Sequence, residues 1–413
     1  MVSAGVIVIA LFGAKLLAQL WLEHLNAVEV GKNSGRIPEA FAGTMDEPTY
    51  KKAVEYTLAK SGLGRKQLIF EVVLLAAVLV SGVLPALYEW FTGQFGRGIL
   101  SQAAYLFAIG VLLAIPSMPW DWVEQFRLEE RFGFNTTNQK TWWSDRVKGL
   151  VLSLLLGYPL LLLILKLVDW MGSMWWVWAW GAVLGFQLLM LVLAPIIILP
   201  LFNKFTPLPE SPLRDRLLRL GERTGFHSKS IQVMDGSKRS RHSNAFFTGF
   251  GKFRKIVLFD TLINQLAEVE LEAVLAHEIG HYKKKHIPKM LIGSAIGLLV
   301  AFFAIAQLAN HPWFYRAFGF EPGSIVPALL LFSLLSGVVT FWFTPLFNLL
   351  SRKFEYEADD YAARTMSEPH SLIGALRKLN EKNLSNLTPH PLYSGFYYSH
   401  PTLLERERAL QSN

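Results

Sequence analysis

Long apolar runs separated by polar segments dominate the pattern of this chain. Seven runs reach or approach the roughly 20 residues that an α-helix, rising 1.5 Å per residue, needs to cross a hydrocarbon core about 30 Å thick. They are Ser3–Leu22, Leu68–Trp90, Leu100–Met118, Leu150–Leu167, Met174–Leu199, Met290–Leu308 and Ile325–Leu349. One such run could be a core helix of a large soluble protein, but seven in one chain predict an all-α polytopic membrane protein with seven transmembrane helices.

Two polar segments, 202–289 and 351–413, predict a unit outside the membrane. The first contains three strand-like runs separated by glycine-containing turns, followed by a helical pattern. The strand-like runs are Ile231–Met234, Asn244–Phe250 and Lys255–Phe259, and the helical pattern extends from Leu262 to His286. The second segment is helical and amphipathic. We therefore expect an α+β domain in addition to the membrane helices.

Composition supports the membrane assignment and excludes several kinds of site. Of the 413 residues, 52% are hydrophobic and 17% are charged, whereas about a quarter of the residues in an ordinary soluble domain are charged. A disordered chain is excluded, because too much apolar surface would stay in contact with water. The chain has no cysteine, which excludes disulfides, thiolate metal ligands and cysteine nucleophiles.

The distribution of basic residues predicts the orientation in the membrane. Loops after the second, fourth and sixth runs carry few basic residues, whereas loops after the first and third runs and the tail after the seventh carry many. Because positively charged loops stay in the cytoplasm, we expect the N-terminus outside and the C-terminus inside. The net charge of +8 then reflects topology and contact with the lipid bilayer. Nucleic-acid binding is not indicated, since no basic stripe alternates with stacking aromatic residues.

A metal-binding motif lies in the helical part of the first polar segment. His277-Glu278-Ile279-Gly280-His281 fits the pattern His-Glu-x-x-His, in which two histidines four residues apart on a helix bind the same ion. Glu278 points in a neighbouring direction, where it can accept a proton from water at the metal. A helix end with two exposed histidines is the alternative. The apolar residues before the motif, Val274, Leu275 and Ala276, favour a metal site over that alternative.

The acidic segment 355–360 contains candidates for a third ligand. A catalytic zinc ion takes three protein ligands and keeps one position open. Helical periodicity puts Glu355 and Asp359 on one face and Glu357 on the other, so one carboxylate could bind zinc while the other holds a ligand histidine. A solvated charged face fits this spacing equally well. His286 lies about 140° around a continuous helix from His281 and is expected at the surface.

Taken together, the motifs resemble those of the type I CAAX prenyl proteases, integral-membrane zinc metalloproteases that cut C-terminal tripeptides from prenylated proteins. The resemblance extends nearly from end to end. Its segments are Arg36-Ile37-Pro38-Glu39, Glu129–Asn135, Pro200–Leu208, Ser243-Asn244-Ala245-Phe246, the His277–His281 helix, Ser351–Asp359 and Tyr398–Arg406. In the last segment the chain departs from the family pattern at Thr402.

The resemblance implies one Zn²⁺ ion per chain. Its ligands would be His277, His281 and Glu355, and Glu278 would be the general base. Asp359 would orient one of the ligand histidines. The implied activity is that of a membrane zinc endopeptidase, which hydrolyses peptide bonds with activated water.

Further roles and an architecture follow from the same resemblance. His400 and Arg406 would stabilise the developing oxyanion, and Asn244 would lie on an edge strand that pairs with a peptide substrate. The family fold is a seven-helix barrel around a chamber, with a gluzincin-like metalloprotease domain on the cytoplasmic side. The chain would divide into spans 1–5 (1–200), the first protease part (201–289), spans 6–7 (290–349) and the second protease part (350–413).

Two alternative functions remain at this stage. One is a membrane-protein quality-control zinc protease of the heat-shock type, although such chains are usually shorter and have fewer spans. The other is a transporter or channel with an incidental zinc site, for which Lys15, Glu71 and Lys166 form no evident relay in the membrane. We expect a monomer acting on prenylated or membrane-adjacent peptides, in a bacterial inner membrane rather than an endoplasmic reticulum membrane.

Overall fold

The structure, a computed structural model, describes residues 4–43, 45–226, 230–248, 255–366 and 370–412, most of which are helical. The helices of the described chain are α1 (Ala4–Lys32), α2 (Glu47–Val80), α3 (Val83–Phe95), α4 (Ile99–Ala114), α5 (Met118–Val123), α6 (Glu130–Phe132), α7 (Gln139–Leu152), α8 (Tyr158–Trp170), α9 (Trp175–Leu193), α10 (Leu199–Phe202), α11 (Pro212–Arg223), α12 (Asp260–Gln265), α13 (Glu268–Lys283), α14 (His286–Ala309), α15 (Pro312–Arg316), α16 (Ile325–Thr340), α17 (Thr344–Thr365), α18 (His370–Lys382), α19 (Pro391–Tyr397) and α20 (Leu403–Gln411). The strands are β1 (Phe205–Pro207), β2 (Ser230–Met234), β3 (Ala245–Thr248) and β4 (Lys255–Phe259). Short π-helical segments join α5 to α6, α7 to α8 and α9 to α10; they are Glu124–Glu129, Ser153–Gly157 and Ala194–Ile198.

Six helical segments of the described chain are long and apolar enough to cross a membrane, and the bent pair α2–α3 would make a seventh. The six are Gly5–Lys32, Ile99–Phe132, Gln139–Trp170, Gly172–Phe202, His286–Ala309 and Ile325–Thr365. The prediction of a mostly helical, multi-pass membrane protein is therefore confirmed. Several segments extend beyond the predicted apolar runs, because a helix continues as long as its backbone hydrogen bonds are made.

The second predicted span, Leu68–Trp90, is not a straight helix. It crosses the junction of α2 and α3, which meet at an angle of 57°. Gly82 at this junction has a φ of 75°, a left-handed conformation that glycine adopts without a Cβ clash. The apolar run was interpreted as one span, although Ser81-Gly82 inside it is a turn signal.

The apolar helices pack as a closed series of neighbours, in which the last helix contacts the first. In this order α1 packs on α2, α4 on α8, α8 on α9, α9 on α14, α14 on α16, and α16 on α1, while α3 connects α2 to α4. Between α3 and α4, the rings of Tyr88 and Tyr105 lie 5.1 Å apart. Between α9 and α14, Trp180 donates a hydrogen bond of 2.9 Å to the carbonyl of Ala295.

The strands form one four-stranded sheet in the order β1-β2-β4-β3. β2 and β4 are parallel, and the outer pairs β1–β2 and β4–β3 are antiparallel. Among the described strands, β3 is therefore an edge strand. The predicted run Asn244–Phe250 corresponds to β3, whose first residue is Ala245; its last two positions lie outside the described residues. The sequence did not predict β1, which has only three residues and ends in a proline.

Two helices cover this sheet. In α11 the leucines at positions 213, 217 and 220 recur at helical spacing and are buried, and Ser211 caps the helix by accepting a hydrogen bond from the amide of Arg214. These leucines share a core with Leu258 of β4 and with Leu275 and Ile279 of α13. α13 also contacts β3 and is the helix that carries the His-Glu-x-x-His motif.

The prediction of one helix from Leu262 to His286 is wrong. α12 ends at Gln265, α13 extends from Glu268 to Lys283, and α14 begins at His286. Lys285 between α13 and α14 has a φ of 57°, so the chain changes direction there. The 100° rotation per residue of a continuous helix therefore does not apply to His286.

Candidate metal centre

α13 and α17 contact each other backbone to backbone at Gly280. A Cβ at this position would lie 3.0 Å from both the Cα and the carbonyl oxygen of Ala358 and 3.2 Å from the Cβ of Tyr361. Ala358, Ala276 of α13 and Ala362 of α17 have no exposed surface. Small side chains thus let the acidic segment of α17 lie directly against the histidines of α13.

The three predicted metal ligands converge at this contact. His277 Nε2 lies 3.2 Å from His281 Nε2. The Glu355 carboxylate is 3.5 Å from His277 Nε2 through Oε2 and 3.3 Å from His281 Nε2 through Oε1. A tetrahedral ion with bonds of about 2.0–2.1 Å holds its ligand atoms about 3.3 Å apart. The observed separations fit a single four-coordinate ion with one open position.

Glu355 provides a second test of this fit. Its side chain is 6% exposed, and within the described part of the chain its Oε2 atom has no hydrogen-bond donor. A buried carboxylate oxygen without a partner loses its hydration and gains nothing in return. A metal ion between the three side chains would supply a closer positive partner than Arg406, whose Nη1 atom lies 3.9 Å from Oε2.

Asp359 and Arg406 fix the orientation of His277. Asp359 Oδ1 lies 2.8 Å from His277 Nδ1. Arg406 donates two hydrogen bonds to the same carboxylate, through Nε at 2.8 Å and through Nη2. An ionised carboxylate only accepts, so its position assigns the proton of His277 to Nδ1 and leaves the Nε2 lone pair facing the metal centre.

His281 is oriented in the same way, but through two residues, His286 and Glu357. His286 Nε2 lies 3.0 Å from Glu357 Oε2, so His286 donates there. A neutral His286 then accepts through Nδ1, which is 2.9 Å from His281 Nδ1. The proton of His281 is thereby assigned to Nδ1, and its Nε2 lone pair also faces the centre.

The expected surface position of His286 is wrong. His286 is 1% exposed, and its ring stacks on Phe354 of α17 with a centroid distance of 4.2 Å. The helix break at Lys285 turns the chain back toward α17, which brings His286 beside His281. Glu357 does lie away from Glu355, as predicted, but it holds His286. Sequence reasoning did not predict the pairing of His286 with Glu357. The available sign was Lys284-Lys285, which marks the end of α13.

Glu278 lies beside the ligands and has the environment of a buried acid. Burial raises the pKa of its carboxyl group above the ordinary value, and the nearby charges of His277 and His281 act in the opposite direction. Glu355 and Arg406 also interact with it electrostatically. A carboxylate in this position can exchange a proton with water at the open metal position.

His400 borders the open side of the centre. Its Nε2 atom lies 3.4 Å from Glu355 Oε1, and its side chain is 64% exposed. Ser399 Oγ lies 3.0 Å from its other ring nitrogen. His400 also lines a cavity of about 480 Å³ together with Asn380, Tyr398 and Arg406. It is thus far more exposed to an incoming substrate than the three predicted ligands are.

Arg406 is buried, in contrast to His400. It lies in the first turn of α20, which begins after a capping box made by Thr402 and Glu405. Thr402, the departure from the family pattern, is therefore a helix cap here. Besides its two bonds to Asp359, Arg406 places Nη1 3.9 Å from Glu355 Oε2. Its predicted role as an oxyanion donor stays a prediction.

Asn244 lies apart from the metal ligands, immediately before β3. Its side chain is exposed, and its Oδ1 accepts a 2.8 Å hydrogen bond from the amide of Ala245. Its carbonyl oxygen accepts a 3.1 Å hydrogen bond from the amide of Phe259 in β4. Asn244 therefore joins the edge strand to the sheet.

Two protein-family descriptions match consecutive parts of this chain. Residues 27–204 match the family described as CAAX prenyl protease N-terminal, five membrane helices, and residues 207–413 match peptidase family M48. The chain belongs to peptidase family M48. The resemblance stated from the motifs is therefore confirmed. The protein is a membrane metalloprotease.

Curated relatives of this M48 peptidase match it over most of their length. CAAX prenyl protease 1 of Saccharomyces cerevisiae is 35% identical, with 91% of this chain and 88% of the relative covered. The CAAX prenyl protease 1 homologue of Homo sapiens is 30% identical, with 97% and 95% covered. The crystal structure of S. mikatae Ste24p superimposes with a TM-score of 0.93 at 31% identity and covers 99% of both chains. These relatives are eukaryotic; the bacterial membrane stays a prediction.

Gly280→Ala should weaken metal binding through the contact of α13 with α17. The added Cβ must push Ala358 away by a few tenths of an ångström, and overpacking of this kind costs about 1–3 kcal/mol. We expect a lower unfolding temperature in detergent and a metal dissociation constant raised about tenfold or more. Gly293→Ala in α14, where a Cβ has nothing within 4 Å, is the matched control. Equal metal affinity in the two variants would contradict this account.

Glu355→Ala and Glu357→Ala should separate a ligand from a supporting residue. Loss of Glu355 should reduce metal affinity more than about 100-fold, beyond the effect usual for residues that only orient a ligand. Loss of Glu357 leaves all three ligands and removes one hydrogen bond from His286, so its effect should stay within about tenfold. Chelator competition measures both constants. A larger loss for Glu357 would show that the ligand is misassigned.

Proposed function

We propose that this chain is a zinc endopeptidase that acts as a monomer and cleaves prenylated proteins near their C-termini. The observation that carries the proposal is the convergence of two histidine nitrogens and one carboxylate at 3.2–3.5 Å, with Glu278 alongside. It occurs in a membrane protein whose curated relatives are named CAAX prenyl proteases. We keep the predicted orientation, with the metal centre on the cytoplasmic side.

Zinc is the ion that this donor set favours. Two histidines and one glutamate, with a position left open, are ligands used by catalytic zinc, whereas calcium and magnesium prefer oxygen ligands only. The ion, when bound, polarises the scissile carbonyl and makes water more acidic. The carboxylates at 355 and 359 already carry negative charge for it to neutralise, and both histidines present Nε2.

The side chains around the predicted ligands have separate roles in proton transfer and charge stabilisation. Glu278 accepts the proton of the attacking water and delivers it to the leaving amine. His400, at the exposed border, donates a hydrogen bond to the oxygen that becomes negative in the transition state. Arg406 holds Asp359 in place and adds positive charge on the same side.

The edge strand β3 provides a binding surface for the peptide. An extended peptide that adds to this edge would form main-chain hydrogen bonds with it, starting at Asn244. Main-chain pairing tolerates many side chains, so the strand alone gives little sequence selectivity. Selectivity for prenylated chains must then come from the membrane part.

The membrane helices are proposed to form the barrel and chamber that the family resemblance implied. The packing order, in which α16 returns to α1, supports a closed ring. We also keep the division of the chain at 200, 289 and 349, with the protease domain assembled from 201–289 and 350–413. A chamber of this kind serves a substrate that is anchored in the bilayer.

Glu278→Gln should abolish turnover while the metal content stays near one ion per chain. The amide cannot accept the proton of water, but Glu278 is not one of the three ligands. Metal analysis of the purified variant, together with a peptide-cleavage assay, measures both effects. Loss of the metal from Glu278→Gln would refute the assignment of this residue as the base.

A prenylated C-terminal peptide should be cleaved with a kcat/KM at least about tenfold above that of the same peptide without the lipid. Burial of two CH₂ groups, at about 0.8 kcal/mol each, already supplies this factor. Cleavage of both peptides should be measurable, since the main-chain contacts are common to them. Release of a C-terminal tripeptide, detected by mass spectrometry, identifies the expected bond.

Two other results would replace the proposal: one from this assay and one from an ion-flux measurement. Equal rates for both peptides in detergent and in liposomes would favour a quality-control protease. Ion flux through reconstituted protein without peptide hydrolysis would favour a transporter or channel.

A further inference from the structure

A buried polar cluster outside the metal centre connects the membrane part to the residues before β3. Tyr56 of α2 donates a 2.6 Å hydrogen bond to Glu129 Oε1. The other oxygen, Oε2, lies 3.4 Å from His242 Nε2, and His242 Nδ1 lies 3.1 Å from Asn383 Oδ1. Tyr56 is 6% and Glu129 9% exposed. Neither takes part in the chemistry described above.

The segment after Glu129 adds backbone contacts to the same loop. The ring of Phe134 stacks on His242 with a centroid distance of 4.1 Å. Its carbonyl oxygen accepts a 3.0 Å hydrogen bond from the amide of Arg241, and the amide of Thr136 donates one of 3.3 Å to the carbonyl of Arg239. Segment 134–136 therefore lies beside 239–241 as a short antiparallel bridge.

Asn135 and Gly133 shape this segment. Asn135 donates a 2.7 Å hydrogen bond to Glu130 Oε2, and its Oδ1 accepts one of 2.9 Å from the amide of Thr137. Gly133 has a φ of 84°, which turns the chain out of α6. The family-like segment Glu129–Asn135 thus folds into a fixed turn whose outer side meets residues 239–242.

The loop held in this way leads directly into the edge strand. His242 precedes β3 by three residues, and its carbonyl oxygen accepts a 3.1 Å hydrogen bond from Thr261 of α12. Ser243 donates a 2.7 Å hydrogen bond to Gln265, also of α12. Residues 242–244 are therefore fixed by α12 and β4 on one side and by the membrane part on the other.

We propose that Glu129 is a positioning residue for the peptide substrate, which acts through His242 on the start of β3. This inference rests on the proposed function, because the peptide is taken to pair with β3. A peptide on this edge forms its main-chain hydrogen bonds with β3, so a displaced start of the strand weakens peptide binding. The membrane part thereby sets where the chain of a membrane-bound substrate meets the metal centre.

The test compares Glu129→Ala with Glu129→Gln and a control. Glu129→Ala should raise KM for the prenylated peptide about tenfold, with kcat and the metal dissociation constant within twofold of wild type. Glu129→Gln should stay within threefold in KM, because its amide oxygen still accepts from Tyr56 and its NH₂ group can face His242. Glu55→Ala is the control, because Glu55 is the exposed neighbour of Tyr56 on α2.

Direct peptide binding provides a readout that does not depend on turnover. In a Glu278→Gln background, the dissociation constant of the peptide should rise with Glu129→Ala in the same proportion as KM. His242→Ala, which alters a half-exposed side chain, should reproduce this rise even where Glu129→Ala does not fold. The double variant should then be no worse than either single variant.

Three results would overturn the inference. They are an unchanged KM in both Glu129→Ala and His242→Ala, a loss of metal affinity that accounts for the defect, and the same defect in Glu55→Ala. Failure of the proposed function is recognised separately in wild-type protein, which would then cleave neither peptide or cleave both at equal rates.

Discussion

The metal centre depends on the close approach of α13 and α17 at Gly280 and Ala358. The backbone of Ala358 and the Cβ atom of Tyr361 face Gly280, so the two helices have little freedom to slide. Glu355 and Asp359, four residues apart on α17, then reach the histidines from one face: Glu355 lies beside both histidines, and Asp359 lies beside His277 Nδ1. One steric contact thus positions both the predicted third ligand and the carboxylate that orients His277.

Charge balance explains why the centre needs an ion. Glu355 and Asp359 are both buried, and the guanidinium of Arg406 pairs mainly with Asp359. Within the described residues, one oxygen of Glu355 has no hydrogen-bond donor, at the point where two imidazole lone pairs also converge. Three electron-rich atoms in a buried space repel one another unless a cation lies between them. This arrangement therefore favours the binding of a cation.

Sequence reasoning was strongest where the chemistry follows the period of a single helix. The spacing of His277 and His281, and the separate faces of Glu355 and Glu357, depend only on 3.6 residues per turn. It was wrong for His286, because a left-handed Lys285 ends the helix and the sign of this break, Lys284-Lys285, was not applied to His286. The bend at Gly82 was missed although Ser81-Gly82 is a local turn signal, whereas the strand β1 is too short to give one. The pairing of Glu129 with His242, which joins positions 113 residues apart, has no local signal.

The membrane helices are directly connected to the predicted metal centre. α17 begins in the last apolar segment and carries Glu355, while α14 begins with His286 beside His281 and then enters the membrane part. The core around α13 also contains Val30 and Tyr50, from the ends of α1 and α2. A protease fragment without these helices would lack both Glu355 and the residue that orients His281. The apolar helices therefore do more than anchor the enzyme: they carry residues of the predicted metal centre.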